Sequence, residues 1–420
     1  MTLRPWSCAI EASRGNVHPL IYDWNTVGTA PRTGPRVMLD DETLRDGLQS
    51  PSVRTPTIEQ KLRILHLIDS LGIETADIGL PGAGAHVLAD VERLAREILD
   101  ARLRVKANCA ARTVIADIQP IVDVMQRVGL PMECCAFIGS SPIRQFVEDW
   151  TLDRLQQLTH DAITFAVKEG LTVMYVTEDT TRADPESLRR LFSTAIRAGA
   201  KRLCIADTAG HATPHGAAAV TRFVASVIDD CGATGEVGID WHGHRDRDLA
   251  VMNSIAAMDA GATRLHGAAL GLGERVGNTP MDLLLVNLVL MGVRDDKLAT
   301  LDAYCRTAAE ATGIPIPINY PVIGRDAYRT ATGVHAAAVI KAFRKNDTVL
   351  ADAVYAGVPA SMVGREQVIE VGPMSGKSNV IYWLEKRGII ATEELVDRIF
   401  AKAKGATTVL TETEIRGLLT

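Results

Sequence analysis

Two rhythms of apolar and polar positions alternate along this chain. Short runs rich in Val, Ile and other apolar residues begin near Val37, Glu74, Leu103, Met132, Leu171, Lys201, Glu236 and Thr263, recurring about every 30 to 35 residues. That is the spacing of strand–helix–strand units. Runs such as MECCAFIG and KRLCIAD are almost continuously apolar, as strands buried on both faces are. Helical periodicity fills the gaps. In EQKLRILHLIDSLG, Leu62, Leu65, Ile68 and Leu71 recur at three-residue steps and predict one buried helix face, with Gly72 as its C-terminal stop. Eight strands alternating with helices predict an α/β protein, a closed (β/α)8 barrel over residues 36–296. An open doubly wound sheet is the structural alternative, and eight units in series with no second nucleotide motif fit it less well.

The flanks follow neither rhythm. Residues 1–35, with Pro, Gly, Trp6 and Trp24, predict an N-terminal arm. Past Val293 the strand rhythm stops. Helical patterns at Lys297–Thr312, His335–Phe343 and Thr392–Lys404, with the loop GIPIPINYPVIG after the first, predict helical C-terminal subdomains over 297–420.

Composition narrows the function classes. The formal charge is −6 and the Lys and Arg residues are scattered, which excludes a basic footprint for nucleic acid or a membrane surface. No apolar stretch reaches the roughly 18 residues of a membrane span. The longest candidate, Leu283 to Val293, contains Asn287 and predicts a buried helix. The N-terminus lacks the apolar segment of a signal peptide. Of seven cysteines none forms a CxxC pair, and Cys109, Cys134, Cys135 and Cys204 sit in apolar runs. They predict reduced core thiols in a cytoplasmic protein.

Active sites of such barrels lie at the C-terminal ends of the strands. Polar residues accumulate there: Arg45, Asp46 and Gln49 after the first strand, Glu178 and Asp179 after the fifth, Asp207 and Thr208 after the sixth. The seventh ends in His242 and His244, and the eighth runs into Glu274 and Asn278. Residues two apart on a strand share a face, so the two imidazoles can bind one metal ion, and a carboxylate such as Asp46 can complete a mixed N/O site. A donor set without thiolate suits Mg, Mn or Zn. Each residue also has a plainer reading. The histidines could be structural, Arg45–Asp46 a surface ion pair, Glu178–Asp179 a helix start, Glu274 a loop pin and Thr208 a cap. The segment GLGERVG imitates a phosphate loop, but its spacing and its place after the eighth strand favour tight turns that carry Glu274 and Asn278 to the rim.

Taken in order, RDGLQSP, TEDTTRADPESL, IADTAGHATP, HGHRDRDLAVMNSIAAMDAGA and HGAALGLGERVGN resemble the strand-end motifs of the 2-isopropylmalate and homocitrate synthase family. The resemblance continues through ATGVH, YAGVPASMVGRE and MSGKSNVIYWL, covering roughly residues 36 to 390. It implies condensation of acetyl-CoA, or a related acyl-CoA, with a 2-oxo acid, then thioester hydrolysis. On the same resemblance Asp46, His242 and His244 match metal ligands and Asn278 a further metal-side position. Arg45 matches the arginine facing the substrate carbonyl, Glu178 the carboxylate after the fifth strand, and Thr208 a contact to the 2-oxo acid carboxylate. Gln49 and Cys135 fall among substrate-binding positions, Glu274 among catalytic ones. His335 and Tyr355 match residues that the family carries to the active site of a partner subunit, which implies a homodimer with shared sites. Imidazole titrates near working pH, so His335 is the candidate base. The chain ends soon after the MSGK segment, which implies no leucine-sensitive regulatory domain.

The pattern departs from the family in places. Arg245 replaces an asparagine after the second histidine, Cys135 stands where many relatives carry a substrate-holding histidine, and Asp77 stands where they often have Glu. The last two imply a 2-oxo acid side chain unlike that of 2-oxoisovalerate. Two other readings stay open at this point: a metal-dependent carbon–carbon lyase or aldolase of the HMG-CoA lyase type, and a non-catalytic binding protein on a decayed barrel.

Overall fold

The computed structural model describes residues 18–28 and 36–419; the rest of the N-terminal arm, Trp6 included, lies outside the described residues. Eight parallel strands run β1 (Met38–Asp41), β2 (Thr75–Asp77), β3 (Lys106–Arg112), β4 (Glu133–Gly139), β5 (Thr172–Glu178), β6 (Arg202–Asp207), β7 (Gly238–Gly243) and β8 (Arg264–Gly267). They pair in sequence order, and β1 pairs with both β2 and β8, which closes the sheet. Helices follow the strands, and the protein is a (β/α)8, or TIM, barrel.

Most strands begin within two residues of the apolar runs that announce them. β3 starts later, at Lys106 rather than near Leu103, because the Leu103 amide bonds back to the Ile98 carbonyl and closes the preceding helix. The helix Ile58–Ser70 is capped by Thr57 and Gln60 in a reciprocal capping box. Its buried face is Lys61, Ile64, Leu65 and Ile68, with Leu71 just beyond; Leu62 is only partly buried. The stripe thus advances by threes and fours, as 3.6 residues per turn require, and not by threes alone.

The barrel interior holds charge as well as hydrocarbon. Arg264, 2% exposed, donates to Asp240 and to Glu133, and Arg202 donates to the other oxygen of Asp240. Asp40 accepts from Asn108 at 2.6 Å and from the Thr75 hydroxyl. Buried charges are tolerable when paired and hydrogen-bonded in this way. Cys109, Cys134, Cys135 and Cys204 are buried free thiols on the barrel strands.

The chain divides into two compact units. One is the barrel, residues 35–285, joined by 296–316, whose helix Leu301–Thr312 packs on Ile58–Ser70. The other contains residues 286–295 and 317–420. There Val371, Val380, Trp383, Leu384 and Ile399 form a core among the helices Lys377–Glu385 and Glu393–Lys404. Ala336, Val339 and Ile340 of the helix Gly333–Arg344 form a second cluster with Ile369. Among the described residues no helix is long and apolar enough to cross a membrane.

Candidate active site

Strand alternation and barrel closure together build a cavity of about 330 Å³ at the carboxyl ends of the strands. On β7 and just past it, His242 and His244 point the same way, with their Nε2 atoms 3.2 Å apart. Both nitrogens lie 3.8 Å from Asp46 Oδ2, which the turn after β1 brings in from the other side of the closure. The three groups offer ligand atoms within 4.8 Å of one another. Asn278 sits beside them through a backbone bridge to His244.

Several polar atoms here are buried without a hydrogen bond: Asp46 Oδ2, His244 Nδ1 and both amide atoms of Asn278. Such atoms cost free energy unless something satisfies them, and buried polar groups in native proteins are nearly always paired. Two imidazole nitrogens and a carboxylate oxygen facing a common point fit a divalent cation with N/O preference. Burial, then the neighbouring His242, pushes the His244 pKa down to about 4, so it presents a neutral imidazole. Burial acts to lower His242 too, but the charge of Glu42 beside it, and Asp46, raise it overall.

Glu42 and His266 support this centre. His242 Nδ1 lies 2.7 Å from Glu42 Oε2, and the other Glu42 oxygen is 2.9 Å from His266 Nδ1 and 3.3 Å from Arg45 Nη2. His266 Nε2 in turn lies 2.9 Å from Asp240 Oδ2. Glu42, His242 and His266 also cluster tightly enough for a metal. Its members already face one another as close ion pairs, however, and we read this group as a brace for the first. Burial opposes the charge on Glu42, yet His242 and Arg45 hold its carboxyl well below the usual carboxylate range. A carboxylate on the far nitrogen of a ligating histidine fixes ring orientation and tautomer.

Arg45 reaches over the same cavity. It donates to Asp77 at 2.7 Å, to Asp46 at 3.0 Å and to Glu42 at 3.3 Å. Gln49, Cys135, Glu178, Thr208 and Glu274 line the cavity with it. Burial raises the Glu178 pKa, with Arg144, at 3.2 Å, acting in the opposite direction. Thr208 caps no helix, since Thr213 caps the one that follows; its hydroxyl oxygen accepts the Asp179 amide at 2.9 Å, and its O–H remains available to donate. Asp179 and Asp207 serve the loops: Asp179 forks onto Arg182, and Asp207 accepts from Thr181 and from the His211 and Ala212 amides. Glu274 is half exposed.

The glycine-rich turn after β8 is held by geometry. Gly277 has φ +105°, and a Cβ there would stand 1.7 Å from the Gly271 carbonyl oxygen. Arg245 clamps the same turn through its amide to the Gly277 carbonyl and its side chain to the Val276 carbonyl. His335 and Tyr355 belong to the second unit, where their rings stack with centroids 4.1 Å apart and both are exposed. Sequence reasoning missed Glu42, His266 and Arg144 as members of the site. His266 opens a quoted motif, Glu42 stands three residues before another and Arg144 five residues past the run MECCAFIG, but no spacing rule singles them out.

A family model described as HMGL-like matches residues 36–306. A probable 2-isopropylmalate synthase of Methanopyrus kandleri is 31% identical, with 88% of this chain and 69% of that protein aligned. A homocitrate synthase of Pyrococcus horikoshii is also 31% identical, with 88% of this chain and 95% of that protein aligned. Among solved structures, the HMG-CoA lyase of Bacillus subtilis superposes with a TM-score of 0.56 at 21% identity, covering 67% of this chain and 96% of that one. At that identity the likeness speaks for the fold alone.

Proposed function

The chain belongs to the HMGL-like family, and we propose that it condenses acetyl-CoA, or a related acyl-CoA, with a 2-oxo acid and hydrolyses the resulting thioester. The observation that carries this reading is the convergence of Asp46, His242 and His244, with unsatisfied buried atoms, beside Arg45 at the barrel mouth. Two relatives that align over 88% of the chain are named as synthases of this kind.

Asp46, His242 and His244 would hold the metal ion (Mg, Mn or Zn), with Asn278 at its flank. When bound, such an ion supplies Lewis-acid polarisation of the ketone and a chelating anchor for the 2-oxo acid. Arg45, held in place by three carboxylates, points donors at the alkoxide that develops as the ketone is attacked. Gln49 and Thr208 offer hydrogen bonds to the substrate carboxylate, and Cys135 contacts the remainder of the 2-oxo acid. The thioester methyl loses a proton to His335, with Tyr355 beside it, both contributed by a second copy of the chain in a homodimer. Glu178 and Glu274 steady that imidazolium from the rim. The carbanion attacks the ketone carbon, and water then cleaves the thioester and releases CoA. Buried free thiols suit a reducing, cytoplasmic setting.

The test is release of free thiol from acetyl-CoA with and without 2-oxo acids. Release that depends on a 2-oxo acid supports the condensation. A lyase instead frees acetyl-CoA from a hydroxyacyl-CoA, and a binding protein does neither. Sharing of the site is tested separately, by mixing His335→Ala with His242→Ala chains. Loss of a general base costs roughly 10²- to 10⁴-fold in rate. Each mixed dimer keeps one intact site, so random exchange should restore about a quarter of wild-type activity. No recovery, once exchange has been demonstrated, would sink the shared site.

A further inference from the structure

The relatives' names divide between 2-isopropylmalate and homocitrate synthases, and the cavity itself bears on which kind of 2-oxo acid fits. Asp46, His242, His244 and Arg45 line one wall. A 2-oxo acid held there by its carboxylate and ketone must direct its side chain to the remaining wall. That wall is built from inward-facing, alternating positions of β4, β5 and β6: Cys135 and Phe137, Met174 and Val176, Cys204, with Leu80 from the loop after β2. Register places Cys135 beside Met174 and Phe137 beside Val176, so the apolar surface is continuous. Cys135, Met174 and Cys204 also pack together as one cluster, with Val176 against it.

Among the described residues, the cations near this wall already face carboxylates, His266 with Glu42 and Asp240 included. Among the described residues that line the cavity Arg45 is the one arginine, and three carboxylates already balance its charge. Arg144, at the edge, lies 3.2 Å from Glu178 and 3.2 Å from Glu148. Arg264 lies below, bound to Asp240 and Glu133, and its Nη2 is 3.1 Å from the Met174 sulfur. Burial pushes the thiols of Cys135 and Cys204 well up, so both remain uncharged. A second carboxylate on the substrate would be desolvated here without a partner and would face the acidic rim of Glu178 and Glu274.

We propose that the site takes a 2-oxo monocarboxylic acid with an uncharged, apolar side chain and rejects 2-oxodicarboxylates. The inference rests on the condensing reading above. Met and Cys add an adaptable, polarisable surface, which suits branched or unbranched hydrocarbon alike.

The experiment uses the intact protein loaded with Mn²⁺. Binding of 2-oxobutanoate, 2-oxoisovalerate, 2-oxoglutarate and 2-oxoadipate is measured by calorimetry, and thiol release from acetyl-CoA is followed with each. At least one monocarboxylate should exceed both dicarboxylates by about 100-fold or more in kcat/KM, the scale on which a site rejects a group it cannot pair. Calorimetry should rank the acids in the same order. Thiol release that is fastest with a dicarboxylate overturns the substrate class and leaves the condensation standing. Selective binding of a monocarboxylate with no thiol released by any acid supports the class and removes the condensation. Absence of both binding and release overturns both. As a second arm, Val176→Lys places a cation on the partly exposed part of the wall and should raise dicarboxylate use relative to monocarboxylate at least about tenfold.

Discussion

The barrel has a cavity at each end, and the two differ in kind. At the amino ends of the strands lies the larger, about 1010 Å³, lined by residues such as Lys106, Glu133, Arg202 and Arg264. At the carboxyl ends lies the smaller, about 330 Å³. In the first, the buried charges neutralise one another: Arg264 and Arg202 converge on Asp240, and Arg264 also reaches Glu133. In the second, Asp46 and His244 hold buried atoms without a hydrogen bond, as does Asn278 beside His244. Volume therefore misleads as a sign of function, whereas unsatisfied atoms beside a convergent set of two histidines and a carboxylate point to a ligand. The amino end spends its charge on holding strands together, and the mouth keeps its charge in reserve.

The sharpest way to break that contrast is at the mouth. Chelation should abolish thiol release, and Asp46→Ala or His242→Ala should lose bound metal and activity together, followed by elemental analysis and rate on the same sample. Near-normal activity of either variant at limiting metal would remove the proposed centre. At the amino end the damage should be of another kind. Arg264→Met leaves Glu133 in the interior without its arginine and Asp240 with one arginine in place of two, and should destabilise the fold by roughly 3–5 kcal/mol in urea unfolding, while metal affinity of the folded fraction stays put. A stable variant with weakened metal binding would reverse the assignment of the two ends.

Glu42 lies between them, and Glu42→Gln tests whether it belongs to the mouth. Metal affinity should fall about 10- to 100-fold, as for other partners of ligating histidines, and Co²⁺ bound to the variant should show an altered visible spectrum. Unchanged affinity and spectrum would make Glu42 a packing residue. The gentlest effect concerns a carboxylate near the mouth that is turned to a different task. Asp41 is bonded to the Tyr304 hydroxyl, and burial, partly offset by that bond, raises its pKa to about 7. A carboxyl whose pKa is raised on folding stabilises most below its unfolded value, about 3.9, and that contribution is lost as pH rises through about 7. Unfolding free energy should therefore fall with pH across that window by at most about 1.4 kcal/mol per unit, and Asp41→Asn should flatten the slope without touching metal affinity. An equal slope in both proteins would place the titration elsewhere.

Much of this molecule was legible before any coordinate. Continuous apolar runs such as MECCAFIG mark strands buried on both faces, and their recurrence specifies alternating strands and helices, because hydrophobic period is a local property. Arg45, Asp46, His242 and His244 were legible as candidates for the same reason: a two-residue spacing on a strand and a position at its end are both written in the chain. Other features were not. Leu62 and Ile64 exchange roles because the buried stripe depends on what the helix packs against. Glu42 and His266 are 224 residues apart, and closure of β1 against β8 makes them partners. Asp179 and Asp207 look as catalytic as Asp46 in the sequence, yet Arg182, Thr181 and backbone amides consume them. What a side chain can do chemically is determined by its type and local spacing. Whether it is left free to do it depends on which distant groups reach it first, and only the tertiary structure decides that.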